Sequence, residues 1–195
     1  MAGEAADDIG RQAGGWTIEW QGGNGDITAG TTLVDGIREV VAPATRVEFD
    51  RFGRFDRVVD AAGAPLPADA CIGVVGEQPY AEGMGDRRTL NLADSERDLL
   101  ARLRARCAKL VVVIVSGRPL VITEELPQWD ALVAAWLPGS EGAGVADVLF
   151  GAAPFTGKLS YTWPASNEQA PINVNSDPQR GEPLFPLSSG LTTAP

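Results

Sequence analysis

An α/β domain with a mostly parallel sheet is predicted from three observations. Near-continuous apolar runs at Ala70 to Val75 and Leu110 to Val115 read as strands covered on both faces. Segments of helical periodicity stand before, between and after them, and glycine, proline and polar turn residues separate the two kinds of segment. This β, α, β rhythm defines the class, and right-handed crossovers between parallel strands place helices on both faces, giving a three-layer α/β/α sandwich. One domain is the natural count for 195 residues, enough to bury a substantial core.

MAGEAADDIG opens on a polar segment, and GGWTIEWQGGNGDITAG follows with Trp16, Ile18 and Trp20 on alternate positions ahead of a turn cluster. If extended, that segment presents all three on one face. Thr31 to Val41 carries Leu33, Val34, Ile37, Val40 and Val41 at helical spacing, with Thr32 and Asp35 placed as a cap. Arg46 to Phe49 alternates as a short strand, and Arg51 to Pro67 is a glycine-bearing connection. The central strand follows and ends at Gly76. Asp94 can then cap a helix with Leu99, Leu103 and Cys107 at i, i+4 and i+8, its arginines on a solvated flank. Leu110 to Val115 ends at Ser116, Gly117, Arg118 and Pro119. Asp130 to Leu137 is a further strand, turning through Pro138 to Glu141 into a helix that Gly151 stops. Residues 1–164 thus form the sandwich, and 165–195, rich in Pro, Asn, Ser and Asp, an irregular tail of the same domain.

Composition excludes several functions. The formal charge of −10 argues against nucleic acid and anionic membranes, which need a basic surface. A neutral substrate is compatible. No histidine is present, so proton transfer near neutral pH falls to a carboxyl, Lys, Tyr or Cys. Cys71 and Cys107 are expected as two free buried thiols, with no zinc site and no other cofactor. No run of about 18 apolar residues exists, and the first residues lack the charged and apolar regions of an export signal.

Chemistry is expected beyond the carboxyl end of the central strand, where ligands of open α/β sheets gather. Glu77, Tyr80, Glu82, Asp86, Arg87 and Arg88 lie there. A loop glutamate desolvated beside Tyr80 and Met84 would be a general acid, whereas a solvated acidic loop is the alternative. Arg118 can reach a substrate hydroxyl or brace these loops by pairing with a carboxylate; bracing is the expectation. The glycine-rich GSEGAG turn admits a phosphate-binding reading, but it lacks the dinucleotide glycine order and the P-loop lysine.

GEQPYAEGMGD resembles the acid/base loop in the second domain of glycoside hydrolase family three, the β-glucosidases and glucan exohydrolases. SGRPLVI, DALVAAWLPGSEGAGVADVLFG and FTGKLSYTWP extend the likeness over most of the chain. The resemblance implies a flavodoxin-like sandwich that opens just after the family's first strand, with Met1 where that strand would end. It implies that Glu82 is the catalytic acid/base and that Trp20 lines the subsite for the leaving-group side of the sugar, with Trp16 packing. It leaves the role of Glu77 open. The substrate it implies is a β-glucoside or β-glucan oligosaccharide, and the partner a (β/α)-barrel domain, in cis or trans, that carries an aspartate nucleophile. A periplasmic or secreted full-length enzyme is expected. LFPLSSGLT resembles the family's closing segment, with Ser188 and Ser189 in place of its usual glycine and aromatic. A non-catalytic carbohydrate-binding or docking module and a nucleotide-binding flavodoxin-like domain are the other readings.

Overall fold

The structure is a computed structural model that describes residues 1–172 and 180–193. Its centre is a parallel sheet of three strands, β1 (Ala68–Gly76), β2 (Cys107–Val115) and β3 (Ala131–Trp136), in that spatial order. Cys71 lies opposite Leu110 and Val75 opposite Ile114, and a bulge shifts the second register so that Val115 faces Trp136. Strand alternation divides the apolar residues between two faces. Cys71, Val75, Leu110, Val112 and Ile114 pack on one side with Leu99, Leu100 and Leu103 of α3 (Asp94–Arg104). On the other side Val74, Val113 and Val115 meet Leu33 and Val34 of α2 (Leu33–Val40) and, at its edge, Val145 and Leu149 of α4 (Gly142–Leu149). Both faces are therefore covered, as the unbroken apolar runs require.

Local sequence explains the helices. The Thr32 hydroxyl accepts from Asp35 N at 3.2 Å and starts α2. Gly36 lets α2 approach α4, since a Cβ there would lie 2.8 Å from the Ala143 Cα. At α3 the N-cap is Ala93 rather than Asp94; Glu96 reaches back to the Ala93 amide at 3.3 Å, while Asp94 pairs with Arg97. Cys107 belongs to β2 and not to α3. The helix ends at Arg104, the chain turns through Ala105 and Arg106, and Ala68 takes Cys107 into the ladder. Its thiol still donates to Leu103 O at 2.9 Å, so the core contact expected from helical spacing is made from a strand. Both cysteines are free and buried.

Arg46 to Phe49 does not form a strand. Asp50 alone bridges Ala2, which also bridges Gly73 of β1. Met1–Gly3 thereby occupies a slot beside β1, with Ala2 N donating to Ile72 O at 3.0 Å and Asp50 N to Met1 O at 3.1 Å. The ladder does not extend over residues 46–49, where Glu48 O accepts from the Met1 amino group at 2.6 Å and the Arg46 and Glu48 side chains pair with each other.

α1 (Ile9–Ala13) is capped by Asp8, whose carboxylate accepts from Arg11 N and Gly25 N. Its Gln12 is fully buried and fully used. The side chain accepts from Leu33 N at 2.9 Å and donates to Gly139 O at 3.0 Å and Thr31 O at 3.2 Å, tying α1 to both neighbouring turns. After Pro164 the described residues contain one short 3₁₀ turn, Asn167–Gln169. They are not loose. Trp163 and Phe185 form an antiparallel bridge, and Leu184 and Phe185 pack on the same face of the sheet as α3. Of the tail expected over 165–195, positions 173–179 and 194–195 lie outside the described residues.

Candidate functional site

β1 leaves the sheet at Gly76, where a Cβ would lie 1.7 Å from Val115 O, so only glycine lets the strand turn so close to β2. Glu96 of α3 accepts the Gly76 amide at 2.8 Å and fixes the base of the loop that follows. Burial raises the Glu96 carboxyl above its ordinary range, against the lowering effect of the amides it binds.

Glu77 comes next and is the desolvated glutamate of the loop. Its side chain is 4% exposed, and three residues saturate it. Arg118 Nη2 donates to Oε1 at 2.7 Å and Nε to both oxygens at 3.1 and 3.2 Å. Arg87 Nη1 and the Tyr80 hydroxyl each add a bond of 3.1 Å. The Arg118 guanidinium also lies 4.5 Å from the Tyr80 ring centroid. Arg118 is a brace, as expected from the sequence. Tyr80 cannot act as an acid near neutrality, because burial and then the Glu77 charge push its hydroxyl up to about 12.

Glu82 differs in every respect. It is exposed, opens the 3₁₀ turn Glu82–Gly85, and its side chain makes no hydrogen bond or ion pair to any described residue. Of the two readings of the loop, desolvation falls on Glu77, whereas Glu82 and its neighbour Met84, which is 78% exposed, are solvated in this chain. Glu82 has φ 46, a left-handed backbone that costs a residue with a Cβ roughly 1–2 kcal/mol and is held only where the surroundings impose it. Those surroundings are the buried Ala81 before it and Gly85 after it, where a Cβ would lie 2.1 Å from the Tyr80 ring.

Trp20 sits in a second loop packed against the first. Trp16 and Ile18 have φ 61 and 63, so the segment is not extended; it curls, and Trp16 N donates to Trp20 O at 2.9 Å. Trp16, expected to pack, is exposed instead, its ring 6.3 Å from that of Trp20, which is also exposed. Gly15 rests on the acidic loop, since a Cβ there would lie 2.0 Å from Tyr80 O, and Gly22 meets Pro79 in the same way. Gln21 Oε1 accepts from Ala81 N at 3.0 Å. Trp20 and Glu82 are therefore the neighbours in sequence of two residues that share a hydrogen bond. Sequence reasoning passed over Gln21, for which periodicity offers no signal.

The GSEGAG turn is used for packing. A Cβ on Gly142 would lie 2.4 Å from Thr31 O, and the Ser140 hydroxyl donates to Glu141 Oε1 at 3.0 Å, so the start of α4 presents backbone contacts and a carboxylate rather than a phosphate cradle. Among the described residues there is no cluster of metal-ligating side chains, and no helix is long and apolar enough to cross a membrane.

Two exposed indole rings and a carboxylate left free by its own loop thus stand on adjoining loops of an α/β sandwich. Residues 1–193 match the model of the glycosyl hydrolase family 3 C-terminal domain, and the chain belongs to that family. A periplasmic β-glucosidase of Salmonella typhimurium is 39% identical over 115 residues, covering 58% of this chain and 15% of its own length. A lysosomal β-glucosidase of Dictyostelium discoideum is 28% identical across 98% of this chain and 25% of its own. The exo-1,3/1,4-β-glucanase of a Pseudoalteromonas species superposes with a TM-score of 0.84 at 40% identity, over 98% of this chain and 31% of that one. The chain thus spans less than a third of each of these relatives.

Proposed function

We propose that this chain is the second domain of a retaining β-glucosidase or exo-β-glucanase, in which Glu82 is the general acid/base and Trp20 the platform for the leaving-group sugar. The observation that carries the reading is the contrast between two glutamates five residues apart. Glu77 has every lone pair engaged and serves the loop, whereas Glu82 is free, exposed and held in a left-handed conformation. A retaining mechanism needs a carboxyl to protonate the departing oxygen and, roughly 5 Å away, a second to attack the anomeric carbon. Glu82 donates its proton as the bond breaks and later, as a carboxylate, takes one from the water that releases the sugar. The nucleophile comes from a (β/α)-barrel domain, in cis or trans. Trp20 stacks on the apolar face of the departing pyranose. The sandwich of residues 1–164 and the segment 165–195 act as one domain. The names of the β-glucosidase and exoglucanase relatives support a β-glucoside or β-glucan substrate, and the periplasmic relative supports action outside the cytoplasm.

The test joins this chain to the barrel domain of the Pseudoalteromonas enzyme. Glu82→Ala should lower turnover of alkyl glucosides and glucose disaccharides by about 10²–10⁴-fold, the usual worth of general acid catalysis, and should spare glycosylation by a dinitrophenyl glucoside. Azide should rescue it and yield a glycosyl azide. Azide rescue of Glu77→Ala in place of Glu82→Ala would reverse the assignment. The chain without a barrel should show almost no turnover.

A further inference from the structure

We infer that Gln21 is a positioning residue that sets the acid and links it to the sugar platform, an inference that rests on the assignment of Glu82 and Trp20 above. Among the described residues, the Gln21 to Ala81 contact is the hydrogen bond that joins the tryptophan loop to the acidic loop. It acts on the amide immediately before Glu82.

The orientation of the Gln21 amide is fixed by chemistry. Ala81 N is a donor, so the side-chain oxygen must face it, and a flipped amide would oppose two donors. The nitrogen is then directed away, buried and without an acceptor among the described residues. A buried donor left unpaired is unfavourable. Gln12 shows the usual outcome for a buried amide in this fold, with both ends engaged. A methionine would fill the space at Gln21 without the unpaired donor. The side chain therefore serves the bond its oxygen makes, which is the hold on Ala81.

Two consequences follow from the chain order. Ala81 has extended backbone at φ −139 and Glu82 turns sharply to φ 46, so the Ala81 amide is the last fixed point before the reversal that presents the carboxyl. On the other side, Gln21 is bonded through the backbone to Trp20, whose carbonyl is itself held by Trp16 N. A pyranose stacked on Trp20 consequently bears on the same rigid unit that aims the proton donor. Leaving groups that occupy the platform gain a better placed acid; small or aryl leaving groups gain less. Displacing a catalytic group by about 1 Å can cost 10²-fold, so the bond matters to rate even though it is remote from the sugar.

Gln21→Met, close in shape and unable to accept the Ala81 bond, tests this with two measurements. In this chain alone, amide exchange at Ala81 should quicken by about tenfold or more while amides of β2 stay unchanged. In the enzyme joined to the barrel, kcat on a β-linked glucose disaccharide should fall about 10–100-fold with KM changed less than about threefold. Trp20→Ala should show the opposite split and mainly raise KM. Glycosylation by the dinitrophenyl glucoside, read as kcat/KM because that leaving group departs without a proton, should change less than about threefold in Gln21→Met. Unchanged exchange at Ala81, or equal losses on both substrates, overturns the inference. If Glu82→Ala itself fails to spare glycosylation by the dinitrophenyl glucoside, read as kcat/KM and as the burst of dinitrophenolate, the acid has been misassigned, which is a separate failure.

Discussion

Replacing Arg118 by methionine removes the charge that faces Glu77 while keeping much of the apolar stem, and it should destabilise the domain severely. The Glu77 side chain is 4% exposed and takes three of its five hydrogen bonds from Arg118. Breaking a buried ion pair by deleting one partner costs about 3–5 kcal/mol, because the survivor keeps its desolvation penalty. Arg87 and the Tyr80 hydroxyl stay, but the Arg87 side chain is 41% exposed and compensates only in part, so we place the loss near the low end, about 3 kcal/mol. For a domain of this size that corresponds to a fall of roughly 6–12 °C in Tm. Urea unfolding of the chain, with a matched thermal melt, gives both numbers. The double variant Glu77→Gln with Arg118→Met removes charge and countercharge together and should recover about half the loss or more. A single variant that costs less than about 1 kcal/mol, in the range of an exposed pair, would refute the brace. So would a double variant no more stable than the single.

Further outcomes concern individual side chains. Ser188 has φ 67, the left-handed region in which glycine carries no Cβ penalty, so Ser188→Gly should stabilise by about 0.5–1 kcal/mol in urea unfolding. Burial, then the neighbouring Cys107, pushes the Cys71 thiol up to about 12, so at about pH 8 its thiolate fraction is about 10⁻⁴ and a thiol reagent should label Cys71 only after denaturation. Burial raises the Glu96 carboxyl, so the folded state holds that proton to higher pH than the unfolded chain does. Its contribution to stability is full below the unfolded pKa and is lost as pH rises through the folded one. Glu96→Gln keeps an acceptor for Gly76 and lacks this loss, so in melts taken across a pH series the variant should gain on the parent as pH rises above the ordinary carboxylate range; a flat difference would contradict the direction.

What could be read from residues alone was whatever repeats with a period or ends on a distinctive turn. The apolar runs of β1 and β2, the Thr32 cap and the Gly151 stop are each set by neighbours in sequence, and each lies where it was expected. Arg46 to Phe49 has the alternation of a strand, but pairing needs a partner of matching length, which its own residues cannot reveal. Trp16, Ile18 and Trp20 alternate as well, yet Gly15 and Gly22 seat the loop on Pro79 and Tyr80 and force it to curl. In the site, Arg118 as a brace was expected from its place just beyond the carboxyl end of β2, near the carboxylate-bearing loop, and Glu77 is the carboxylate it holds. Which glutamate would be dry did not, because it depends on guanidinium groups brought from positions 87 and 118. The bond from Gln21 to Ala81 spans 60 residues and leaves no trace in any periodic pattern.

The bridge between Trp163 and Phe185 has a practical meaning for anyone recombining enzymes of this kind. A cut at Pro164 looks natural, since regular structure is nearly finished there. It would strip Leu184 and Phe185 from the sheet and expose Trp163, which is 1% accessible and donates its indole N–H to Leu120 O at 2.7 Å. A bared aromatic surface of that kind favours association between copies. The usable junction for module exchange therefore lies beyond residue 193, where Thr193 N still donates to Phe155 O, and libraries built with earlier crossovers will be enriched in insoluble products.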